Sequence, residues 1–477
     1  MKMPMQQPLL ATLAIALALA VTPLPARDAS PAQHGVIGVD DTMLSAEFWI
    51  ARLAHPDEVV LDRAAIAAEN ANLLRMDRTM HDLHALPKVL PRKLVADWID
   101  ALSERPTRPL YDVAGKQVPP QTLDALVANL DLGAIPEQHA TRYGLVAERA
   151  DLRTFPTHQR VFDERGDTDI DRFQESALFP GTPVAIAHAS RDGRWWFVVS
   201  PRYAAWIDKN RVAEGPADQV LGYAERAPYR IVTAATVDTV FTPEQPALSR
   251  LRLDMSTRVP LAADWPADKP VNGEYPYTSH VIELPLRGAD GALKLAPALL
   301  QKNADTQADY LPLTRANLLR QAFKFLGERY GWGHSYDARD CSGFVSDVYR
   351  SMGVLMPRNT RDQSVSPGLD HHLFTAADDR AARMAAAHAL EVGDLVYIPG
   401  HVMMVIGTQD NEPYVIHDTS GIAYRRPDGS MARVHLNAVS VSPLLPLQFN
   451  ESQLYVDRMT SIVRIRPDTA KEAPRAP

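Results

Sequence analysis

Two apolar runs at helical spacing flank a glycine-rich segment in the last third of the chain. The first run covers residues 318–326 and ends at residues 330–333, Tyr-Gly-Trp-Gly, where a helix cannot continue. The second run covers residues 341–352 and is followed by a glycine. The pattern therefore predicts a helix that begins at Cys341 and is capped at its N-terminus by the carboxylate of Asp340.

Three runs of β-like residues follow, at residues 395–398, 401–406 and 413–416. His401 opens the middle run directly after a glycine, and His417 closes the last one. Period-two alternation places His401 on the same face as Met403 and Val405. If the strands pair antiparallel and the Cys341 helix packs across them, the thiol and both imidazoles can meet at one rim of the sheet.

A thiol and two imidazoles in one place predict nucleophilic catalysis. Cys341 would attack, His401 would take and return the proton, and His417 would fix the tautomer of His401. The partial positive charge of a helix N-terminus is expected to favour the thiolate. The backbone N–H of Cys341 and the hydroxyl of Tyr330 could stabilise an oxyanion. The alternative is that Cys341 is a small buried apolar residue and that the histidines lie on the surface.

The remaining sequence divides into regions that differ in their pattern of apolar and polar residues. Helical stripes in the first part are followed by short β-like runs, with an Asp-Gly hairpin signal before the Trp-rich run 195–199. These patterns predict an α+β multidomain protein. The expected divisions are a signal peptide at 1–26, a helical N-terminal region at 37–135, a first small barrel at 140–213, a second at 219–300, a catalytic domain at 310–466 and a disordered tail at 467–477.

Composition restricts the class of protein further. Lys2, an apolar run and Ala26 have the order of a secretory signal, so we expect an exported protein that is periplasmic or cell-wall associated. The sequence contains 1 cysteine, which excludes an internal disulfide and a multi-cysteine zinc site. The formal net charge of −8 argues against nucleic acid as a partner, and no later run reaches transmembrane length.

Several motifs together resemble one known family. They are Tyr330-Gly331-Trp332-Gly333, Asp340-Cys341-Ser342-Gly343-Phe344, Pro357-Arg358-Asn359-Thr360, Gly393-Asp394-Leu395, Gly400-His401-Val402 and Ile416-His417. This set resembles the NlpC/P60 cysteine peptidases, which have a papain-like fold. The strand order around the Asp-Gly hairpin resembles a bacterial SH3 domain, although Ala205 replaces its usual glycine. With two SH3-like barrels and a helical region in front, the chain resembles the exported γ-D-glutamyl-L-diamino acid endopeptidases.

That resemblance implies a function. Cys341 would be the nucleophile, His401 the general base and His417 the orienting residue in hydrolysis of the bond between γ-D-Glu and diaminopimelate of peptidoglycan stem peptides. The alternatives are an amidase or acyltransferase acting on another bond, and a wall-binding protein whose barrels act without the thiol. The expected protein is a monomer whose partner is a stem peptide or murein fragment, with no cofactor and no metal.

The resemblance also implies substrate contacts. They are expected from Tyr330, Asp340, Ser342, Arg358, Asn359, Thr360 and Tyr203. Tyr203 would belong to a barrel that restricts the cleft to peptides with a free N-terminal L-Ala, and core packing is its alternative role. Asp340 could hold the ammonium group, in competition with helix capping. Arg358 and Arg361 could meet substrate carboxylates, whereas the adjacent pair His371 and His372 has no carboxylates at metal-ligand spacing.

Overall fold

The structure is a computed structural model that describes residues 36–466. It combines helices and strands in an α+β arrangement, as the sequence predicts. The expected signal peptide at 1–26 and the tail at 467–477 lie outside the described residues. In the part of the chain that is described, no helix has the length and apolar character needed to cross a membrane.

The N-terminal region consists of short helices whose apolar stripes pack in two directions. Trp49 and Ile66 join the core beneath the Cys341 helix, whereas Val95 and Ile99 join the core of the first barrel region. The region thus buries its apolar residues against both neighbours instead of forming a separate core. Its elements are α1 Ala46–Ile50, β1 Val59–Leu61, α2 Arg63–Met76, β2 Val89–Pro91, α3 Arg92–Leu102, α4 Pro120–Asn129 and β3 Gln138–Ala140.

One antiparallel sheet of seven strands forms the first barrel region, in the order β10-β4-β7-β8-β9-β5-β6. Trp206 is fully buried there, and its indole N–H donates to Ser103 Oγ at 3.1 Å. The ring therefore contributes apolar packing while its polar N–H keeps a hydrogen-bond partner. The strands are β4 Arg142–Val146, β5 Ala150–Arg153, β6 Gln174–Leu178, β7 Pro183–Ala189, β8 Trp195–Val199, β9 Ala204–Asp208 and β10 Val212–Gly215.

The following region contains three small antiparallel sheets, ordered β14-β11-β17, β12-β13 and β15-β16. The short helix α5 Ala217–Gly222 precedes it. The existence of a second SH3-like barrel at 219–300 stays a prediction. The strands are β11 Tyr229–Val232, β12 Thr236–Asp238, β13 Arg252–Asp254, β14 Arg258–Pro260, β15 Ser279–Arg287, β16 Leu293–Gln301 and β17 Thr306–Gln307.

The C-terminal region places helices on both faces of a six-stranded sheet of order β19-β24-β20-β21-β22-β23. Val402 and Met404 face the Cys341 helix, whereas Met403 and Val405 face the opposite core. Strand β1 of the N-terminal region pairs with β18 of this region. The elements are β18 Leu313–Thr314, α6 Arg315–Phe323, α7 Cys341–Arg350, α8 Thr360–Val365, β19 Asp370–Leu373, α9 Arg380–His388, β20 Leu395–Ile398, β21 His401–Gln409, β22 Glu412–Arg425, β23 Met431–Pro443 and β24 Ser461–Arg464.

Candidate active site

Cys341 is the first residue of α7, as predicted, and Asp340 caps the helix. The Asp340 carboxylate accepts a hydrogen bond from the backbone N–H of Gly343 at 2.8 Å. Glycine is required at residue 343, because a Cβ there would lie 2.7 Å from Cε1 of His334. The imidazole of His334 therefore packs against the first turn of the helix.

The thiol itself is buried. Cys341 is 5% exposed, its Sγ lies 3.6 Å from Oγ1 of Thr360, and the backbone N–H of Val402 also points at the sulfur. Burial, with the charge of Asp340 adding to it, raises the pKa of the Cys341 thiol to about 12. Burial thus favours the neutral thiol and opposes the stabilisation of a thiolate that is expected from the helix N-terminus.

The two predicted imidazoles contact each other. Nε2 of His401 lies 2.7 Å from Nδ1 of His417, and Nε2 of His417 lies 3.1 Å from Oγ of Ser442. Burial lowers the pKa of His401 to about 4 and holds that of His417 well below its ordinary value, so both rings are neutral near pH 7. If His401 donates through Nε2, its Nδ1 keeps a lone pair that can accept a proton.

Val402 connects the thiol to this imidazole pair, since it follows His401 directly and its N–H faces Sγ. Within the described residues, the Cys341 side chain contacts the Thr360 hydroxyl and the Val402 N–H, and not an imidazole nitrogen. The structure thus brings Cys341 to the start of β21 and joins His401 to His417. Substrate-free sites often lack the catalytic hydrogen bond and gain it in the reactive complex.

Asp340 and Arg358 form a buried ion pair beside the thiol. The Asp340 carboxylate receives five hydrogen bonds, from Gly333, Ser342, Gly343 and twice from Arg358. Arg358 is 4% exposed, and its Nε also donates to Ser176 Oγ of the first barrel region at 2.6 Å. Against the effect of burial, Arg358 holds the pKa of Asp340 below its ordinary value. Neither group is free to bind substrate by charge alone.

A second acidic group, Glu175 of β6, was not singled out in the sequence. Its carboxylate accepts hydrogen bonds from the hydroxyls of Tyr203 and Thr154, and it is partly exposed. The Tyr203 hydroxyl also contacts the side chain of Asn359, whose amide donates to Asp362 at 3.0 Å. Tyr203, Asn359 and Glu175 therefore form one polar group between the first barrel region and the segment that precedes α8.

Tyr330 is 8% exposed and lies close to the acidic groups of Cys341, Asp340 and Asp418. Burial, followed by the proximity of these groups, raises the pKa of Tyr330 well above its ordinary value. The side chain is thus a phenol that can donate a hydrogen bond.

Asp418 is a buried residue that the sequence reading also missed. It is 0% exposed, and neither carboxyl oxygen has a hydrogen-bond partner among residues 36–466. Burial, followed by the charges of Asp340 and Glu328, raises the pKa of Asp418 well above its ordinary value. Burial without a partner thus disfavours the charged form of this carboxyl group. Its position directly after His417 in an apolar strand is the sequence feature that could have indicated a buried acid.

The remaining predicted residues fall outside this group. Arg361 is exposed, and His371 and His372 lie on the edge strand β19. Across the part of the chain that the structure describes, no cluster of three His, Cys, Asp or Glu residues could hold a metal ion.

Comparisons with known proteins assign two segments of the chain. Residues 327–441 match the NlpC/P60 family, and residues 158–208 match an SH3 domain of the SH3b1 type. A comparison with curated proteins gives no match. Among solved structures, the chain is similar to an NlpC/P60 endopeptidase from Photobacterium damselae subsp. piscicida. The TM-score is 0.69 and the identity 16%, over 87% of this chain and 96% of that one. It also matches an NlpC/P60 family protein from Bacillus cereus, with a TM-score of 0.42 and 19% identity over 68% of this chain and 100% of that one.

The chain therefore carries an NlpC/P60 domain at its C-terminal end and one bacterial SH3 domain in front of it. The likeness to the Photobacterium protein extends the shared fold over most of the chain. The predicted family resemblance and fold class are confirmed to this extent.

Proposed function

We propose that this protein is an exported cysteine peptidase that hydrolyses the bond between γ-D-Glu and diaminopimelate in peptidoglycan stem peptides. The observation that carries the proposal is the position of Cys341. It begins a buried helix, and its sulfur faces the first residues of the strand that carries His401. His401 in turn contacts His417, which gives the nucleophile, base and orienting residue that thiol hydrolysis needs.

Because the thiol and both imidazoles are neutral, proton transfer accompanies attack. Sγ of Cys341 attacks the γ-carbonyl carbon while its proton passes to Nδ1 of His401, and the backbone N–H of Cys341 and the Tyr330 hydroxyl donate to the oxyanion. The imidazolium returns the proton to the amine of diaminopimelate, which leaves as the C–N bond breaks. Water, deprotonated by His401, then hydrolyses the thioester and releases the L-Ala-D-Glu acid and the free thiol.

The charges of the cleft favour a substrate with a free N-terminal amine. Asp340 is neutralised by Arg358, so we assign the ammonium group of L-Ala to Glu175, with Tyr203 and Asn359 beside it. Glu175 is partly exposed, and its hydrogen-bond partners among the described residues are neutral hydroxyls, so no bound cation competes with the ammonium group for its carboxylate. Ser342 and Thr360 lie next to the pair and the thiol and complete the proposed contacts.

A muropeptide mixture provides the test, because it contains many competing bonds. Mass spectrometry of the products should show release of diaminopimelate-containing fragments by the wild type and none by C341A, with both proteins folded. Cleavage by C341A would disprove the thiol mechanism, and products cut at another bond would assign the amidase alternative. Binding to sacculi by both proteins without any cleavage would assign the wall-binding alternative.

A further inference from the structure

The segment between Gly331 and Cys341 has an unusual backbone. Gly333, His334, Tyr336 and Asp337 have φ values of 57°, 64°, 60° and 55°. Three of these are L residues, for which the left-handed region is uncommon. Such a conformation persists only where surrounding contacts hold it. This segment leads directly into the nucleophile, so the contacts that hold it also set the position of the thiol.

Arg149, in the loop before β5, holds the segment from the first barrel region. Its Nη2 donates to the carbonyl oxygens of both His334 and Ala338, each at 3.0 Å. Its Nη1 donates to Asp254 Oδ1 at 2.8 Å. One guanidinium thus binds the nucleophile segment and a carboxylate of the next region at once, with a fixed planar geometry that a lysine could not reproduce.

Asp254, at the end of β13, is fully buried and joins Arg149 to Arg339. Arg339 Nη2 lies 3.2 Å from the same Oδ1, and Arg339 Nε donates to Asp347 of α7 at 2.8 Å. Arg339 is itself fully buried, two residues before Cys341. Arg149, Asp254 and Arg339 form what we call the Asp254 junction, where residues from three regions of the chain meet at the base of the nucleophile helix.

The negative charge of Asp254, and not the volume of its side chain, is what holds the junction together. The guanidinium groups of Arg149, Arg339 and the more exposed Arg252 all approach the same carboxylate oxygen, so without that negative charge three cations would face one another. Glu328 and Asp347 also neutralise Arg339, but Arg149 has only the more exposed Asp337 besides Asp254. Loss of the Asp254 charge should therefore push Arg149 away from the carbonyl oxygens that it holds.

We propose that Asp254 is a positioning residue for Cys341, so that the region after the SH3 domain takes part in catalysis by holding the nucleophile segment in its left-handed conformation. The proposal rests on the proposed function only for its kinetic consequence. The geometric consequence, a displaced thiol, can be measured without substrate.

The test compares D254N with wild type, using L-Ala-γ-D-Glu-diaminopimelate as substrate and iodoacetamide as a probe of the single thiol. We expect kcat to fall roughly 10- to 100-fold with KM changed by less than about threefold, since a small misplacement of a reacting group has effects of that size. The alkylation rate of Cys341 at one alkaline pH should change at least about threefold in the same variant.

D394N is the matched control, because Asp394 is also a buried carboxylate that pairs with an arginine, Arg464, and touches no part of the nucleophile segment. D394N should keep kcat and the alkylation rate of wild type once both proteins are shown to be folded. If D254N does not fold, R149Q decides instead, since Arg149 is 10% exposed at the edge of the junction and the same changes are expected.

Wild-type kcat and alkylation rate in folded D254N, or in R149Q, would overturn the proposal, as would equal losses in D394N. A wild-type protein without hydrolase activity would instead overturn the proposed function. The alkylation rates would still decide whether Asp254 positions the thiol.

Discussion

Asp340 and Arg358 are joined by two hydrogen bonds of 3.1 and 2.8 Å in a pair that is almost completely buried, next to the nucleophile. The pair links the helix that carries Cys341 to the segment before α8, and through Ser176 it reaches the first barrel region. Asp340, which the sequence analysis offers as a ligand for the substrate ammonium group, is thus paired with Arg358 inside the protein. The specificity of the cleft must come from groups that remain available.

The first prediction concerns this pair. D340N leaves the Arg358 cation buried without its counterion, so we expect a loss of about 3–5 kcal/mol in the free energy of unfolding. The denaturation midpoint of the domain at neutral pH measures it. D97N is the control, because Asp97 forms an exposed ion pair with Lys93 and should cost no more than about 0.5 kcal/mol. Equal midpoints for D340N and D97N would contradict the expectation.

The pair also predicts the direction of an acid dependence. The pKa of Asp340 is lowered in the folded state, so its contribution is complete above the unfolded-state pKa of about 3.9 and is lost as pH falls through the folded value. Wild type should therefore lose stability below about pH 4 more steeply than D340N. Parallel stability curves for the two proteins in acid would show that Asp340 does not contribute in this way.

The second prediction concerns the free amine of the substrate. E175Q keeps the shape of the side chain and removes its charge, which should cost about 1.5–3 kcal/mol in transition-state binding, or roughly 10- to 150-fold in kcat/KM. The measurement compares L-Ala-γ-D-Glu-diaminopimelate with its N-acetylated form. Wild type should prefer the free amine, and E175Q should lose most of that preference.

E164Q is the control for E175Q, because Glu164 is an exposed acid in the same region of the chain. It should keep the wild-type preference. If wild type hydrolyses the free and acetylated peptides equally well, Glu175 does not bind the amine and the first barrel region does not restrict the cleft.

Local signals predicted the elements of the site, whereas long-range partners could not be predicted. Asp340 was identified as a helix cap because capping depends on the next three residues, and Cys341 was placed correctly for the same reason. The partners of Arg339 could not be inferred, because Asp254 lies far away in sequence and ion pairs leave no periodic pattern. The role of Glu175 could not be inferred either, because the sequence does not distinguish a functional acid in a strand from a solvated one.

The third prediction concerns the histidine pair. H417A leaves Nε2 of His401 without its partner, so the ring loses its tautomer and orientation, and kcat should fall on the order of 100-fold or more with little change in KM. H417N should retain more activity than H417A, because an amide oxygen can accept from Nε2. The measurement is the separate determination of kcat and KM for both variants.

S442A is the matched comparison for the histidine variants, since Ser442 contacts the outer nitrogen of His417 at 3.1 Å and not His401 itself. Its effect on kcat should be smaller than that of H417A. A kcat for H417A within twofold of wild type would exclude an orienting role for this residue.

The last prediction separates two resting states of the nucleophile. Burial raises the pKa of Cys341 to about 12 and lowers that of His401 to about 4, so between these values the pair is a neutral thiol beside a neutral imidazole. Because iodoacetamide reacts with the thiolate, its rate should rise about tenfold per pH unit from neutral pH upward without a plateau. The sequence contains 1 cysteine, so C341A gives the background.

T360V sharpens this test, since the Thr360 hydroxyl lies 3.6 Å from Sγ and its hydrogen bond lowers the pKa of the thiol. Its removal should slow alkylation at every pH below the pKa and leave the slope unchanged. A rate plateau between about pH 5 and 8 would mean a thiolate and imidazolium at rest. In that case proton transfer would precede substrate binding, and the concerted transfer to His401 proposed above would be wrong.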